Sequence, residues 1–223
     1  MKRRNVMTTT ARPCRLLALL VLLLALPVFA DAAETSLRID QNLSLKLDAH
    51  FALKFYVFHQ LNKDISDFNY TEMGTGVQYR TPLSWLSLLA WYQQSFSEDD
   101  AGTWGMEKDP SINANISLTA GPFTVSDQLR WEYRFTPDWK DWRIKNTLQL
   151  ALNAIPLKPY LGWELYWEHH DSDFMLHRFK LGISHPVYKS LTLGAYCRFD
   201  ISQSTGSWVH YRRCIGLSCT LDF

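Results

Sequence analysis

The chain has 223 residues, with 23 basic and 22 acidic side chains and a formal net charge of +1. That balance excludes a nucleic-acid binder built on a basic surface. Beyond the first thirty-odd residues every apolar run is broken by charge within a few positions, which excludes a helical membrane protein.

The N-terminal segment reads as a processing signal. Lys2, Arg3, Arg4, Arg12 and Arg15 make a basic region, Leu16 to Leu26 is uninterrupted aliphatic chain, and Pro27 breaks it. Ala30-Asp31-Ala32 then supplies the small-x-small pattern of a secretory cleavage site. The expected organisation is a signal peptide over 1–32, cut after Ala32 (Ala30 is the alternative), and one barrel domain over 33–223. The apolar run is too short to span a bilayer, which needs about 20 residues. Without the signal the chain holds 18 basic and 21 acidic residues, a net of −3. Three cysteines remain, Cys197, Cys214 and Cys219, and an odd number in an oxidising compartment leaves at least one thiol unpaired.

The first element, Leu37–Val57, keeps Leu37, Ile39, Leu43, Leu45, Leu47, Phe51, Leu53, Phe55 and Val57 on one parity. It reads as one long strand, or as two joined by a turn at Asp48-Ala49-His50, which would preserve the facing. Further strands are expected at Tyr70–Arg80, Trp85–Phe96, Ser111–Thr119, Phe123–Phe135, Trp142–Asn153, Lys158–Glu168, Met175–Ser184, Leu191–Ile201 and Val209–Phe223. In Trp85–Phe96 apolar residues fall on both parities, and the facing there is ambiguous. The last strand alternates to an aromatic terminus, with Ile215, Leu217, Leu221 and Phe223 against Gly216, Ser218, Thr220 and Asp222.

Tight turns at Thr81-Pro82, Gly121-Pro122, Pro156 and Pro186 alternate with longer polar loops at Asn62–Asn69, Ser97–Pro110, Thr136–Asp141, His169–Phe174 and Ser202–Trp208. Short turns on one rim and long loops on the other is the pattern of an outer-membrane barrel. Trp85, Trp139, Trp142, Trp163, Trp167 and Trp208 lie where interfacial girdles need rings that are apolar in body and polar at the tip. The expected fold is therefore an all-β, up-and-down antiparallel transmembrane β-barrel of a Gram-negative outer membrane, with about ten strands. Splitting Leu37–Val57 gives eleven, which cannot put both chain ends in the periplasm; twelve would need one strand more.

If apolar residues face lipid, their neighbours face the lumen, and these are charged. The expected lumen lining is Arg130, Glu132 and Arg134, then Arg143 and Lys145, Glu164 and Glu168, Arg178 and Lys180, Arg198 and Arg212. Opposite charges on neighbouring strands form favourable ladders. Two interiors follow: a plug of paired side chains, as small barrels have, or a narrow pore. Inward bases outnumber inward acids (Asp40, Glu72, Glu132, Glu164, Glu168, Asp200, Asp222), so a pore would lean to anions.

The segment Leu129-Arg130-Trp131-Glu132-Tyr133-Arg134-Phe135, followed by Trp142-Arg143-Ile144-Lys145-Asn146, resembles the paired Arg/Glu-rich strands of a family of uncharacterised bacterial outer-membrane β-barrel proteins carrying a domain-of-unknown-function label. Phe179-Lys180-Leu181-Gly182 and Leu193-Gly194-Ala195-Tyr196 are similar to its closing hairpin; Lys145 departs from the arginine expected there. The resemblance implies a barrel and no established activity.

No motif calls for a cofactor or a resident metal. Glu168-His169-His170-Asp171-Ser172-Asp173 is the densest set of metal-ligand types, but adjacent side chains on an extended chain point oppositely, and a solvated loop explains the composition. The acidic stretch Glu98-Asp99-Asp100 through Glu107-Lys108-Asp109 lacks the spacing of a calcium loop. An alternative to the lumen reading is a lipid- or lipopolysaccharide-modifying enzyme at the rim, in which His169, His177 or His210 would act as base to Ser172 or Ser207. Expected partners are outer-membrane lipid and lipopolysaccharide, and the barrel assembly machinery through the C-terminal Phe223.

Overall fold

In the computed structural model, Leu37–Val57 divides at its middle. Asp48 is the cause: its Oδ1 accepts the backbone N–H groups of His50 and Phe51, both at 2.7 Å, and folds the chain back on itself. Those two bonds, from Phe51 and then His50, hold the exposed Asp48 carboxyl below its ordinary 3.8. The structure describes residues 34–62, 65–99, 101–169, 174–204 and 207–223; the expected signal segment 1–32 lies outside them.

The strands are β1 (Glu34–Lys46), β2 (Phe51–Asn62), β3 (Asp67–Arg80), β4 (Leu86–Glu98), β5 (Trp104–Ala120), β6 (Phe123–Phe135), β7 (Lys140–Leu152), β8 (Lys158–Glu168), β9 (Phe174–Tyr188), β10 (Leu191–Ser204) and β11 (Ser207–Asp222). They form one closed barrel in sequence order. Ten pairings are antiparallel, and β1 closes on β11 in parallel, from Glu34 opposite Arg212 to Ser44 opposite Asp222. The expected ten strands are thus eleven. A parallel seam removes the constraint that suggested ten, because it lets the two ends of the sheet lie on opposite rims. Beyond Ser44 and Asp222 the seam continues, with Lys46 N–H donating to the Phe223 carbonyl at 2.8 Å and Phe223 N–H to the Ser44 carbonyl at 2.9 Å.

One rim carries connections 47–50, 81–85, 121–122, 153–157 and 189–190, together with the end of β11; the other carries 63–66, 99–103, 136–139, 169–173 and 205–206, together with the start of β1. The expected contrast between short turns and long loops is lost, because the strands run further than the polar residues suggest. Gln94 pairs with Lys108 and Glu98 with Trp104, which turns half of the acidic loop into β5 and its first two residues into β4. Asp99 closes what remains by accepting N–H bonds from Ala101 and Thr103 at 2.9 and 2.8 Å. The register also shifts where Asp200 pairs with Arg212 but Ile201 with His210, so the two-residue repeat read back from Phe223 breaks at Tyr211.

Alternation assigns the two faces of the wall. Val77, Leu88, Ile112, Leu118, Leu129, Leu148, Leu161, Phe179, Leu193 and Leu217 are exposed on the outside. Phe51, Trp85, Phe123, Tyr188 and Phe223 are exposed towards the first rim, and Phe68, Trp104, Tyr133 and Trp139 towards the second. The ambiguous strand resolves with Tyr92 outward and Trp91 buried inside. The interior polar residues Ser36, Asn113, Glu132, Glu164, Arg198 and Asp200 are buried.

Glycine makes room for interior rings. Tyr196 lies across Gly216, and Tyr160 across Gly182, each on the paired position of the next strand. A Cβ on either glycine would sit inside the ring. Tyr56 and Trp91 stack on each other at 5.2 Å over Gly74 in the same way.

Candidate functional site: the charged lumen

Register brings the charges together. Glu132 on β6 stands opposite Arg143 on β7, Arg143 opposite Glu168 on β8, and Glu164 on β8 opposite Arg178 on β9. Arg143 Nε donates to Glu132 Oε2 at 2.6 Å, and Arg130 Nη1 donates to Glu132 Oε1 at 3.2 Å. Glu164 receives Lys145 at 3.5 Å, Arg178 at 3.7 Å, the Tyr166 hydroxyl at 3.1 Å, and Lys180. Asp200 is held by Arg198 at 2.8 Å and Arg178 at 3.5 Å, and Arg212 lies 3.8 Å from Glu34 across the seam. Nearer the rim of connection 136–139, Arg134 grips Glu107 through two bonds of 2.7 Å and reaches Glu168 at 2.8 Å. All eleven residues assigned to the lumen by sequence are strand residues with at least one carboxylate or cation partner inside the barrel.

Three of the central carboxylates show a polarity against their partners. Glu132 is 1% exposed against 14% for Arg130 and Arg143, Glu164 is 5% against 18% for Lys145, and Asp200 is 0% against 20% for Arg178. In these pairs the carboxylate lies against the wall and the cation takes the water-facing side, whereas Arg198 is as buried as Asp200, and Glu107 and Glu168 are more exposed than Arg134. Three of those cations surround one ring: Arg178, Lys145 and Arg143 lie 4.7, 5.0 and 5.3 Å from the centre of Tyr166. On the opposite wall Arg38 covers the Phe58 ring at 3.4 Å and bonds Asp40 at 2.5 Å.

Two cavities flank the middle of the barrel. One, of about 450 Å³, includes Arg38, Arg130, Arg143, Lys145, Tyr166 and Arg178 in its lining and extends to Glu168 and Arg212. The other, of about 750 Å³, lies at the opposite rim among His50, Gln78, Arg80, Ser87, Asn115 and Gln149. No residue lines both. Along β4 the inward Trp91 lies between the two linings, and Tyr56, Glu164, Lys180 and Tyr196 take the inward positions next to the smaller cavity on the side of the first rim; on β6 and β7 the linings adjoin, at Gln128 and Arg130 and at Thr147 and Lys145.

Sequence reasoning missed four inward acids. Glu107, Asp109 and Asp141 fell in expected loops and Glu34 before the first expected strand, whereas all four are strand residues. Asp109, 1% exposed, accepts a 2.8 Å bond from Gln93. With these included, the surplus of inward bases nearly vanishes. The alternation Glu107-x-Asp109-x-Ser111-x-Asn113 carried the signal, but Lys108 and Pro110 on the outward parity hid it.

The rim histidines are occupied by tryptophan. His177 lies on the outward parity of β9, stacks on Trp163 at 5.9 Å, and accepts the indole N–H at 3.2 Å. His169 stacks on Trp142 at 5.1 Å, with Nδ1 3.6 Å from Asp141. His170 and Ser172, and the side chains of Trp208, His210 and Ser207, lie outside the described residues. Among the described residues no group of three or more His, Cys, Asp or Glu is placed to hold a metal ion, and Cys197, Cys214 and Cys219 are free thiols.

No curated protein matches the chain. Among solved structures it is similar to an anion-selective porin from Comamonas acidovorans, at 15% identity and a TM-score of 0.39, over 77% of this chain and 55% of the porin. The chain therefore spans little more than half the length of that porin. A family model described as "Protein of unknown function (DUF2490)" matches residues 37–211, from β1 into β11. The resemblance carried by the Arg/Glu-rich strands thus has a family behind it, and the chain belongs to DUF2490.

Proposed function

We propose that this protein is an outer-membrane β-barrel whose lumen is occluded at mid-height, so that it receives anionic solutes in a blind cavity rather than conducting them. The observation that carries this reading is the pair of cavities without a common lining residue, with the Tyr56–Trp91 stack and the Glu164–Lys180 pair filling the inward positions next to the smaller one. A membrane setting is supported by the outer face: a belt of exposed leucine, isoleucine and valine between two girdles of aromatic rings suits lipid and would be poorly solvated in water. The polar residues turned inward are paired to one another, which is how a small barrel fills itself.

Phe223, 64% exposed at the end of the closing seam, is the residue we assign to recognition by the barrel assembly machinery. Lipid and lipopolysaccharide are the surroundings that the outer belt fits. A narrow anion-leaning passage is the second reading, favoured by the cations being the water-facing partners of the central ion pairs.

Osmotic swelling separates the two. Vesicles carrying the refolded barrel are diluted into isosmotic potassium chloride and into isosmotic arabinose. The occluded reading expects swelling no faster than in empty vesicles; rapid swelling would replace it with the passage.

A further inference from the structure

We infer that the 450 Å³ cavity is a binding site for a compact organic polyanion, a small molecule carrying two or more carboxylate or phosphate charges. The inference rests on the reading of the lumen as a blind cavity.

Volume sets the class first. Pockets for small ligands run from about 300 to 1,000 Å³, and 450 Å³ holds more than a bare inorganic ion. Charge sets the sign. The lining holds seven basic side chains against the carboxylates of Glu72, Glu132 and Glu168, and Glu132, like Glu164 and Asp200 behind it, is almost wholly withdrawn into the wall. A ligand between the walls meets Arg143, Lys145 and Arg178 around Tyr166 on one side, and Arg38 over Phe58 on the other.

The guanidinium forks are pre-positioned. Each arginine is fixed by its own carboxylate or by a ring, so little side-chain freedom remains to be lost on binding. Two facing sets of cations favour a ligand with charge at both ends over a monoanion. Phe58, Tyr70 and Tyr166 supply apolar faces for the carbon frame between those charges. The buried carboxylates keep the empty site near neutrality, which holds the barrel together without a ligand.

Isothermal titration of the refolded full chain in zwitterionic micelles tests this with three probes: fructose 1,6-bisphosphate, citrate and glucose. At least one polyanion is expected to bind saturably with one site per barrel, and glucose to give only heat of dilution. Which polyanion binds separates phosphate from carboxylate chemistry.

Arg178→Met is the informative variant, because Glu164 keeps Lys145 and Lys180 while Asp200 keeps Arg198. It is expected to weaken binding at least about tenfold with the heat-modifiable gel shift of the folded barrel retained. Should Arg178→Met lose that shift, Lys145→Met replaces it, with the same expected weakening. No saturable heat from either polyanion on folded protein overturns the site. Binding unchanged in the folded variant overturns it too. Rapid vesicle swelling together with saturable, Arg178-dependent binding would keep the site and remove the occlusion, so the two failures are distinguishable.

Discussion

Glu132 illustrates how single residues hold this interior. It is 1% exposed, and its two oxygens take Arg143 at 2.6 Å and Arg130 at 3.2 Å. Glu132→Gln would leave two guanidinium groups facing a neutral amide in a poorly hydrated wall. We expect a loss of about 3 kcal/mol in the free energy of unfolding, measured by urea titration of the barrel in lipid vesicles. Arg143→Met in the same chain should return part of that loss, since it removes the cation left uncompensated; additivity of the two changes would contradict the pairing. Asp48 acts at a single turn. Its carboxyl is lowered by the N–H groups of Phe51 and His50. A lowered pKa means the turn is favoured above the ordinary carboxylate value and loosens as pH falls through the lowered one. The amide proton shifts of Phe51 and His50 should therefore titrate with a midpoint below 3.8. A midpoint at or above it would show that the two bonds contribute nothing.

At the level of strands, the rings and glycines are the most sensitive feature. Gly216→Val places methyl groups where the Tyr196 ring lies, and overpacking of that kind costs about 1–3 kcal/mol. Combining it with Tyr196→Ala should cost less than the sum of the two changes, because the ring is then gone; thermal unfolding of the four proteins reads this directly. Strand existence was well marked in the sequence, since alternation needs only apolar residues at every second position. Strand ends were not. β5 reaches back to Trp104 although Glu107, Lys108 and Asp109 look like loop, because a charged residue is welcome on the inner face of a barrel. The same polarity that marks a loop in a soluble protein marks the lumen here. Phe58, Trp91 and Tyr196 were hidden for the opposite reason: aromatic residues that suit an outer girdle also fill an interior where glycine leaves space. The charged pairs themselves were legible, because register follows from short turns and fixed parity.

For the whole barrel, the parallel seam between β1 and β11 decides the topology. Local alternation cannot reveal it, because closure joins residues at opposite ends of the chain, such as Leu37 and Ile215. The split at Asp48 puts connection 47–50 on the same rim as Phe223, while 99–103 lies on the opposite one. In a chain with its three free cysteines replaced by serine, Ala49→Cys and Thr103→Cys should differ in labelling by a membrane-impermeant maleimide on intact cells. Only Thr103→Cys should react if its rim faces outward. Equal labelling of both would contradict the eleven-strand arrangement.

Occlusion makes a whole-barrel prediction that depends on two side chains. Tyr56 and Trp91 stack at the mid-height of the wall, between the two cavities. The most direct measurement is single-channel conductance in a planar bilayer under a salt gradient, comparing the native barrel with Tyr56→Ala/Trp91→Ala. An occluded lumen gives a silent native protein and a double variant that opens in discrete, anion-leaning steps. Steady steps from the native protein, or a folded double variant that stays silent, would contradict it.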